Sequence, residues 1–161
     1  MIILGIDPGY AIVGYGVIES IANKCKPIAY GVITTPAKMA MEQRLLIIYN
    51  ELNGIIDKYK PDEMAIEELF FNTNAKTVIN VGQGRGVCLV AAAAKGVPIS
   101  EYTPLQIKQA LTGYGRADKN QIQQMVKMFL NLESVPKPDD AADAVAVAVC
   151  HAHSRQLNKK L

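Results

Sequence analysis

The sequence has few cysteines, and they are far apart. The 161 residues include three, Cys25, Cys88 and Cys150, and no two of them form a CxxC pair. An odd number of scattered cysteines argues against a disulfide framework and against a zinc site, both of which need cysteines in pairs or clusters. The cysteine pattern therefore favours a reducing compartment.

The sequence also lacks a long hydrophobic run and a secretory signal. Its apolar stretches, such as the one around residues 144–150, are much shorter than the roughly 20 residues needed to cross a bilayer. Met1 leads directly into an apolar strand with no basic segment before it, so no signal peptide is predicted. We therefore expect a cytoplasmic protein that does not bind a membrane.

Net charge is low, but it is unevenly distributed. The formal charge of +2 is too small to indicate a polyanionic partner by itself. Residues 71–137 carry eight Lys and Arg against three acids, a net charge of +5, which leaves −3 for the rest of the chain. A basic half beside an acidic half suits a metal enzyme that binds phosphate, although a solvated helical surface explains the charges equally well.

The length and composition predict one globular domain. Half of the residues are hydrophobic and 20% are charged, and the chain is long enough to bury a core. No internal repeat or low-complexity linker divides it. We expect a single domain over residues 1–156 and a short basic tail at residues 157–161.

The distribution of β-branched and glycine residues predicts a mixed sheet. Three closely connected segments, residues 2–7, 12–19 and 27–35, predict an antiparallel β-meander. Two later strands, residues 63–67 and 97–102, alternate with helices, and such strands run parallel to the first. The predicted fold is an α/β fold with a five-stranded mixed sheet flanked by helices.

Helical periodicity and capping residues predict five helices. Thr35 followed by Pro36 predicts a helix that begins there, with Thr as the cap and Pro in the first turn. Asp118 and Gln121 have capping-box spacing. The predicted helices cover residues 37–59, 74–95, 104–112 and 119–131, and a last helix opens at PDDAADA and runs to about residue 156.

Four acids occupy unusual positions. Asp7 ends the first strand and Glu67 ends the fourth, while Asp140 and Asp143 lie three residues apart on one face of the last helix. Asp7 could instead be a turn residue, Glu67 a solvated residue at a strand end, and Asp140 a helix cap. Asp143 interrupts the apolar run AADAVAVAV, where a lone acid is hardest to explain structurally.

The four acids together favour a metal site. Functional groups gather at the carboxyl ends of parallel strands, and carboxylates that meet there repel one another unless cations neutralise them. An all-oxygen site suits Mg²⁺ or Mn²⁺. Two such ions about 4 Å apart promote in-line displacement at phosphate, one activating water and the other stabilising the leaving oxygen.

Four segments carry a distinctive combination of acids, glycines and aromatics: ILGIDPGYAIVGYGVIE, AIEELFFNTNAKT, GQGRGV and DDAADAVAVAVCHAH. In this order and spacing, they resemble the RuvC family of bacterial Holliday-junction resolvases. The resemblance covers nearly the whole chain and implies an RNase H-like fold. One departure is Glu68, where relatives often carry Gln; it should point to the opposite face of its strand from Glu67.

The resemblance also implies roles for individual residues. Asp7, Glu67, Asp140 and Asp143 match four acids that bind two Mg²⁺ ions in the family. Asp139 directly precedes Asp140, and only the spacing to Asp143 favours Asp140 as the ligand.

Further matching residues are expected to contact DNA. Phe70 matches an aromatic that stacks on bases opened at the junction centre, while Phe70 or Phe71 could instead anchor the loop on the core. Lys108 and Lys119 match catalytic lysines near the scissile phosphate. Tyr114 and Arg116, in the loop between these lysines, and Lys76 are weaker candidates for DNA contact.

The function implied is a homodimeric, magnesium-dependent endonuclease that resolves Holliday junctions by paired symmetric nicks in recombination and DNA repair. A two-fold dimer places one site on each of two opposed strands of a four-way junction. The family further implies partnership with the RuvA and RuvB branch-migration proteins. Three alternatives stay open: another RNase H-like nuclease, a nucleotide-binding protein of the actin or sugar-kinase type, and a junction-binding module without catalysis.

Two motifs are given no catalytic role. GQGRG, residues 82–86, lies within a predicted helix, so it is not a dinucleotide-binding fingerprint, and its small residues favour close packing, within or between subunits. His151 and His153 are two residues apart on a helix, so they face different directions and cannot chelate one metal. Both are interpreted as structural or surface residues.

Overall fold

The structure is a computed structural model that describes residues 1–22, 24–69 and 74–158, with side chains up to residue 155. The strands are β1 (Ile2–Asp7), β2 (Ile12–Ile21), β3 (Lys24–Thr34), β4 (Glu63–Glu67) and β5 (Ile99–Tyr102). The helices are α1 (Met41–Tyr59), α2 (Ala75–Ala94), α3 (Pro104–Thr112), α4 (Lys119–Phe129) and α5 (Asp139–Asn158).

All five strands form one sheet in the order β3-β2-β1-β4-β5. β1, β2 and β3 pair antiparallel as a meander, and β1, β4 and β5 are parallel. The predicted five-stranded mixed sheet is therefore confirmed. Because β1 and β4 are parallel neighbours, their carboxyl ends lie at the same edge of the sheet.

The two faces of the sheet are covered by different helices. On one face, Ile3 and Ala65 pack with the buried residues of α3, α4 and α5. On the other face, Leu4, Ile6 and Met64 pack with α1 and α2. Side chains alternate between faces along a strand, so Asp7 and Glu67, two residues beyond Gly5 and Ala65, lie on the α5 face.

Glycines let α5 approach this sheet closely. A Cβ atom added to Gly5 would lie 2.2 Å from the Ala144 carbonyl oxygen, and one added to Gly16 would lie 2.9 Å from the Val145 Cα. A Cβ atom on Gly14 would lie 2.0 Å from the carbonyl oxygen of Asp140. Any larger residue at these positions would push α5 away from β1 and β2.

The predicted start of the first helix is wrong. α1 begins at Met41, and its N-cap residue is Ala40, which makes no side-chain capping hydrogen bond. The Thr35 side chain is engaged elsewhere: its Oγ1 donates to the Tyr10 carbonyl oxygen at 2.6 Å and accepts from Arg44 Nε at 2.8 Å. A tertiary contact therefore replaces the predicted local cap.

Other boundaries differ by a few residues. β2 and β3 continue as a long hairpin to the pair Ile21 and Lys24, so both are longer than predicted. The fifth strand starts late because the Val97 amide donates to the Ala92 carbonyl at the end of α2. α4 stops at Phe129, two residues before Asn131, whose φ of 50° is left-handed.

The last helix extends beyond its predicted end. α5 runs to Asn158, so the first two residues of the predicted tail are helical, and residues 159–161 lie outside the described residues. Within the described ranges, no helix combines the length and the apolar character needed to span a membrane.

Candidate active site

Asp7 and Glu67 lie side by side at the edge of the sheet. The parallel register pairs Ile6 with Ile66, and each acid is the next residue of its strand. Glu67 pairs with Tyr102 on its other side, which fixes it in the middle of the β1-β4-β5 edge. The two side chains are close enough for the charge of Glu67 to raise the pKa of Asp7.

α5 brings the other two acids to this edge. Gly14 pairs with Asp7 in the β1–β2 ladder, and the Asp140 backbone packs directly on Gly14. The charges of Asp140 and Asp143 both act on Asp7. The structure thus brings the four acids to the same edge of the sheet, and the glycines of the sheet permit this approach.

The electrostatic cost of this arrangement falls mainly on Asp7. Burial, followed by the charges of Glu67, Asp143 and Asp140, raises the pKa of Asp7 to about 8. Burial is also the main reason why the pKa values of Glu67 and Asp143 are raised. The charge of a neighbouring acid raises each of these two pKa values further. The fold therefore brings several acidic side chains together at a place where water solvates their charges poorly.

The donor set fits a divalent cation. Four carboxylates on strand ends and a helix offer only oxygen ligands, which Mg²⁺ and Mn²⁺ prefer, and a cation would relieve the repulsion that raises the pKa values. In the described part of the chain, no three His, Cys, Asp or Glu side chains are grouped tightly enough to surround one ion. Binding an ion would therefore require these side chains to close around it.

A cleft of about 220 Å³ opens beside the acids. α3 and α4 form its far wall, and each provides one lysine that the sequence analysis had selected. Lys108 is half-buried, and its charge lowers the pKa of Glu67 against the larger effect of burial. The lining residues are Glu67, Pro104, Ile107, Lys108, Lys119, Ile122, Asp143 and Ala146.

Lys119 joins the acids to the start of α4. Its Nζ lies 3.2 Å from Asp143 Oδ2 and 3.4 Å from Asp139 Oδ2. Partial desolvation lowers the pKa of Lys119, but the hydrogen bond to Asp143 and the charges of Asp143 and Asp139 outweigh it, so the pKa is raised. The lysine therefore stays protonated in the cleft.

The structure separates Asp139 from Asp140. The Asp139 side chain is 47% exposed and lies 3.2 Å from Lys137 Nζ, and the hydrogen bond to Lys137 and the charge of Lys119 lower the pKa of Asp139. Asp140, by contrast, is one of the charges that act on Asp7. This geometry favours Asp140 over Asp139 as the fourth acid of the site.

The remaining DNA-contact candidates lie on the surface. Tyr114 is 54% exposed, and Arg116 is exposed in the same loop between α3 and α4. Lys76 is exposed in the first turn of α2, on the other side of the sheet. Phe70 and Phe71 lie outside the described residues.

Arg85 is a contributor that the sequence analysis did not select. Its Nε donates to the Glu67 carbonyl oxygen at 3.1 Å, and its guanidinium pairs with Glu101 on β5. The arginine of GQGRG therefore fixes the end of β4, where Glu67 sits. The sequence feature that could have indicated this role is a charged residue inside a run of small residues.

The glycines of GQGRG were interpreted as packing residues, and Gly84 has that role within the chain. A Cβ atom on Gly84 would lie 2.1 Å from the carbonyl oxygen of Gly9, in the loop directly after Asp7. Gly86, by contrast, has open space at its Cβ position.

His151 is structural, as predicted. It is 3% exposed, its Nε2 lies 2.6 Å from Glu63 Oε2, and its Nδ1 lies 2.8 Å from the Tyr102 hydroxyl. These bonds tie α5 to the start of β4, two helical turns from Asp143.

Comparisons with known proteins agree with the fold and the site. A family model described as crossover junction endodeoxyribonuclease RuvC matches residues 3–151. The chain is 60% identical over 161 residues to the crossover junction endodeoxyribonuclease RuvC of Clostridioides difficile, covering 100% of this chain and 95% of that protein. It is 63% identical over 154 residues to the RuvC of Alkaliphilus oremlandii, covering 96% of this chain and 94% of that protein.

A solved structure of Thermus thermophilus RuvC in complex with Holliday junction substrate is also similar. It superposes with a TM-score of 0.93 at 34% identity, covering 98% of this chain and 96% of that chain. This similarity confirms the RNase H-like fold that the sequence resemblance implied.

Proposed function

Because this chain belongs to the RuvC family of crossover junction endodeoxyribonucleases, we propose that it resolves Holliday junctions by cutting DNA in the cleft beside Asp7. The reaction is hydrolysis of one phosphodiester in each of two opposed strands. The water oxygen bonds to phosphorus and the bond to the 3′-oxygen breaks, which leaves a 5′-phosphate and a 3′-hydroxyl. Such paired symmetric nicks separate the joined duplexes in recombination and DNA repair.

The observation that carries this proposal is the meeting of four carboxylates at one edge of the sheet, beside a cleft with two lysines. Asp7, Glu67, Asp140 and Asp143 would hold two Mg²⁺ ions, with Mn²⁺ as a substitute. When bound, such cations activate water and neutralise the charge of the leaving oxygen.

Lys108 and Lys119 supply positive charge on the opposite wall of the cleft. A protonated lysine there attracts the phosphate and stabilises the negative charge that develops on its oxygens during displacement. Lys119 also hydrogen-bonds to Asp143, so it orients one acid while it faces the substrate. Tyr114 and Arg116 would extend this basic wall along the DNA, and Phe70 and Lys76 would contact the junction elsewhere.

The proposed enzyme is a homodimer, since a four-way junction is two-fold symmetric and two nicks need two sites. The outer face of α2 is suited to this contact. Ile79 is 61% exposed and Val90 is 58% exposed, and Gly86 between them has open space at its Cβ position. The proposal also includes a bacterial cytoplasmic location and partnership with RuvA and RuvB, both of which rest on family membership.

The decisive experiment compares cleavage of a synthetic four-way junction, a linear duplex and an RNA–DNA hybrid in Mg²⁺. We expect symmetric nicks in the junction alone, and none with Asp7→Asn, which should still bind the junction. Equal rates on the three substrates would indicate a general RNase H-like nuclease instead. Full activity of Asp7→Asn would mean that the cation site is elsewhere.

A further inference from the structure

The loop that follows Asp7, residues 8–11, is held on two sides. On one side, Gly84 of α2 packs on the Gly9 carbonyl oxygen so closely that a Cβ atom would lie 2.1 Å from it. On the other side, Thr35 forms two hydrogen bonds: Oγ1 donates to the Tyr10 carbonyl oxygen at 2.6 Å, and the amide donates to the Ala11 carbonyl oxygen at 3.0 Å.

Arg44 completes this second contact from the first turn of α1. Its Nε donates to Thr35 Oγ1 at 2.8 Å, and its guanidinium lies 4.8 Å from the centre of the Tyr10 ring. The residue is only 7% exposed. Within the described residues, no carboxylate lies within salt-bridge distance of Arg44.

Burying a guanidinium that has no carboxylate partner is energetically unfavourable. Among the described residues, the contacts that compensate its desolvation are one hydrogen bond to Thr35 and the Tyr10 ring, whereas an apolar side chain of similar length would pack without that cost. What the guanidinium adds is a directional hydrogen bond. Its Nε–H fixes the Thr35 hydroxyl, and the hydroxyl fixes the carbonyl group of Tyr10, three residues after Asp7.

We propose that Thr35 and Arg44 are positioning residues that hold the loop after Asp7, and through it the Asp7 carboxylate, in the orientation that binds a divalent cation. This inference rests on the proposed function only in taking Asp7 as a cation ligand. The charges of Glu67, Asp140 and Asp143 act on Asp7, and the contacts of Thr35 and Arg44 hold the backbone after Asp7 in place beside them.

The first test separates the Thr35 hydroxyl from its shape. Thr35→Val keeps the volume and removes the hydrogen bonds of the hydroxyl, whereas Thr35→Ser keeps the hydroxyl. We expect Mn²⁺ binding to the DNA-free protein, measured by calorimetry, to weaken about tenfold in Thr35→Val and to return in Thr35→Ser. Thr34→Val, at the exposed neighbouring threonine, is the matched control and should bind Mn²⁺ as the original chain does.

The second test separates positioning from stability. In Arg44→Met, the unfolding temperature should stay the same or rise, because a buried charge is removed, while Mn²⁺ affinity and the Mg²⁺ dependence of junction cutting should worsen. A residue with a purely structural role would lower the unfolding temperature as well. Unchanged Mn²⁺ affinity in both Thr35→Val and Arg44→Met would overturn the inference.

The outcomes also distinguish this inference from the proposed function. If the original chain binds Mn²⁺ through Asp7 but cuts no junction, the function is wrong while the positioning role can still be measured. If it cuts junctions and Thr35→Val binds Mn²⁺ and cuts equally well, the positioning role is wrong. Should Arg44→Met fail to fold, the Thr35→Val and Thr35→Ser pair decides alone.

Discussion

At the scale of single residues, the site is built from side chains that work against stability. Asp7 lies in a poorly solvated position beside three other acids, and its pKa of about 8 measures how strongly the fold disfavours its charge. Lys119 pairs with Asp143, and its charge lowers the pKa of Asp7 by less than burial and the three acids raise it. The cluster is therefore better explained by cation binding than by any contribution to folding.

The stability of the metal-free protein, kept in a chelator, should fall as pH rises. The pKa of Asp7 is raised from 3.8 in the unfolded reference to about 8, so between these values the folded state holds a proton that the unfolded state has lost. The stabilisation from this group is complete below the lower value and disappears as pH rises through the upper one.

Thermal unfolding in chelator at several values from about pH 6 to about pH 9 measures this loss. In Asp7→Asn, which cannot titrate, the decline should be shallower and the unfolding temperature at the alkaline end higher than in the original chain. Parallel curves for the two proteins would show that Asp7 does not carry the predicted charge penalty.

Lys119 should contribute to the rate of cutting more than to the stability of the fold. Its side chain is 54% exposed, so Lys119→Gln should leave the unfolding temperature almost unchanged. Loss of one positioned charge at a reacting phosphate lowers kcat by about 100-fold. Single-turnover cutting of a junction in Mg²⁺ checks this, with Lys127→Gln in the last turn of the same helix as the control, and equal rates for the two variants would contradict it.

At the scale of helices and strands, glycines decide where the acids meet. Asp140 and Asp143 reach Asp7 because α5 lies almost directly on β1 and β2, and this contact needs the absence of side chains at Gly5, Gly14 and Gly16.

Gly14→Ala tests this contact. The new Cβ atom would lie 2.0 Å from the Asp140 carbonyl oxygen, so α5 must shift. Overpacking of this kind costs about 1–3 kcal/mol of unfolding free energy, and we expect Mn²⁺ affinity and junction cutting to fall together. Denaturant unfolding and calorimetry measure both effects.

Gly54→Ala is the control for Gly14→Ala. It lies within α1 with nothing within 4 Å of its Cβ position, so it should stabilise the chain by about 0.5–1 kcal/mol through the backbone alone. A Gly14→Ala protein as stable and active as the original would show that α5 does not depend on the close approach.

The sequence predicted most of the elements but not their contacts. Alternation and periodicity were sufficient for the five strands and the five helices, because these patterns are local. The start of α1 was wrong because Thr35 bonds to Tyr10 and Arg44 rather than to its own helix. Arg85 and the glycines under α5 were not identified, since their roles depend on residues far away in the chain.

At the scale of the whole molecule, the sheet has one edge that carries the four acids and two faces that are covered by different helices. α3, α4 and α5 lie on the face that carries the acids and the cleft, while α1 and α2 lie on the opposite face. α2 also touches the loop after Asp7 through Gly84. A contact between two α2 helices would therefore join two protomers without covering either cleft.

The proposed dimer contact can be tested by introducing one charged side chain on the outer face of α2. Ile79 is 61% exposed on the outer face of α2, and Met128 is 62% exposed on α4, so Ile79→Glu and Met128→Glu introduce the same charge at equally exposed apolar positions. We expect Ile79→Glu to shift the chain to a monomer in analytical ultracentrifugation, while Met128→Glu stays a dimer. Because paired nicks need two linked sites, the Ile79→Glu protein should also release mostly singly nicked junctions. A dimer that persists in Ile79→Glu would place the contact on another surface, and a monomeric original chain would contradict the homodimer itself.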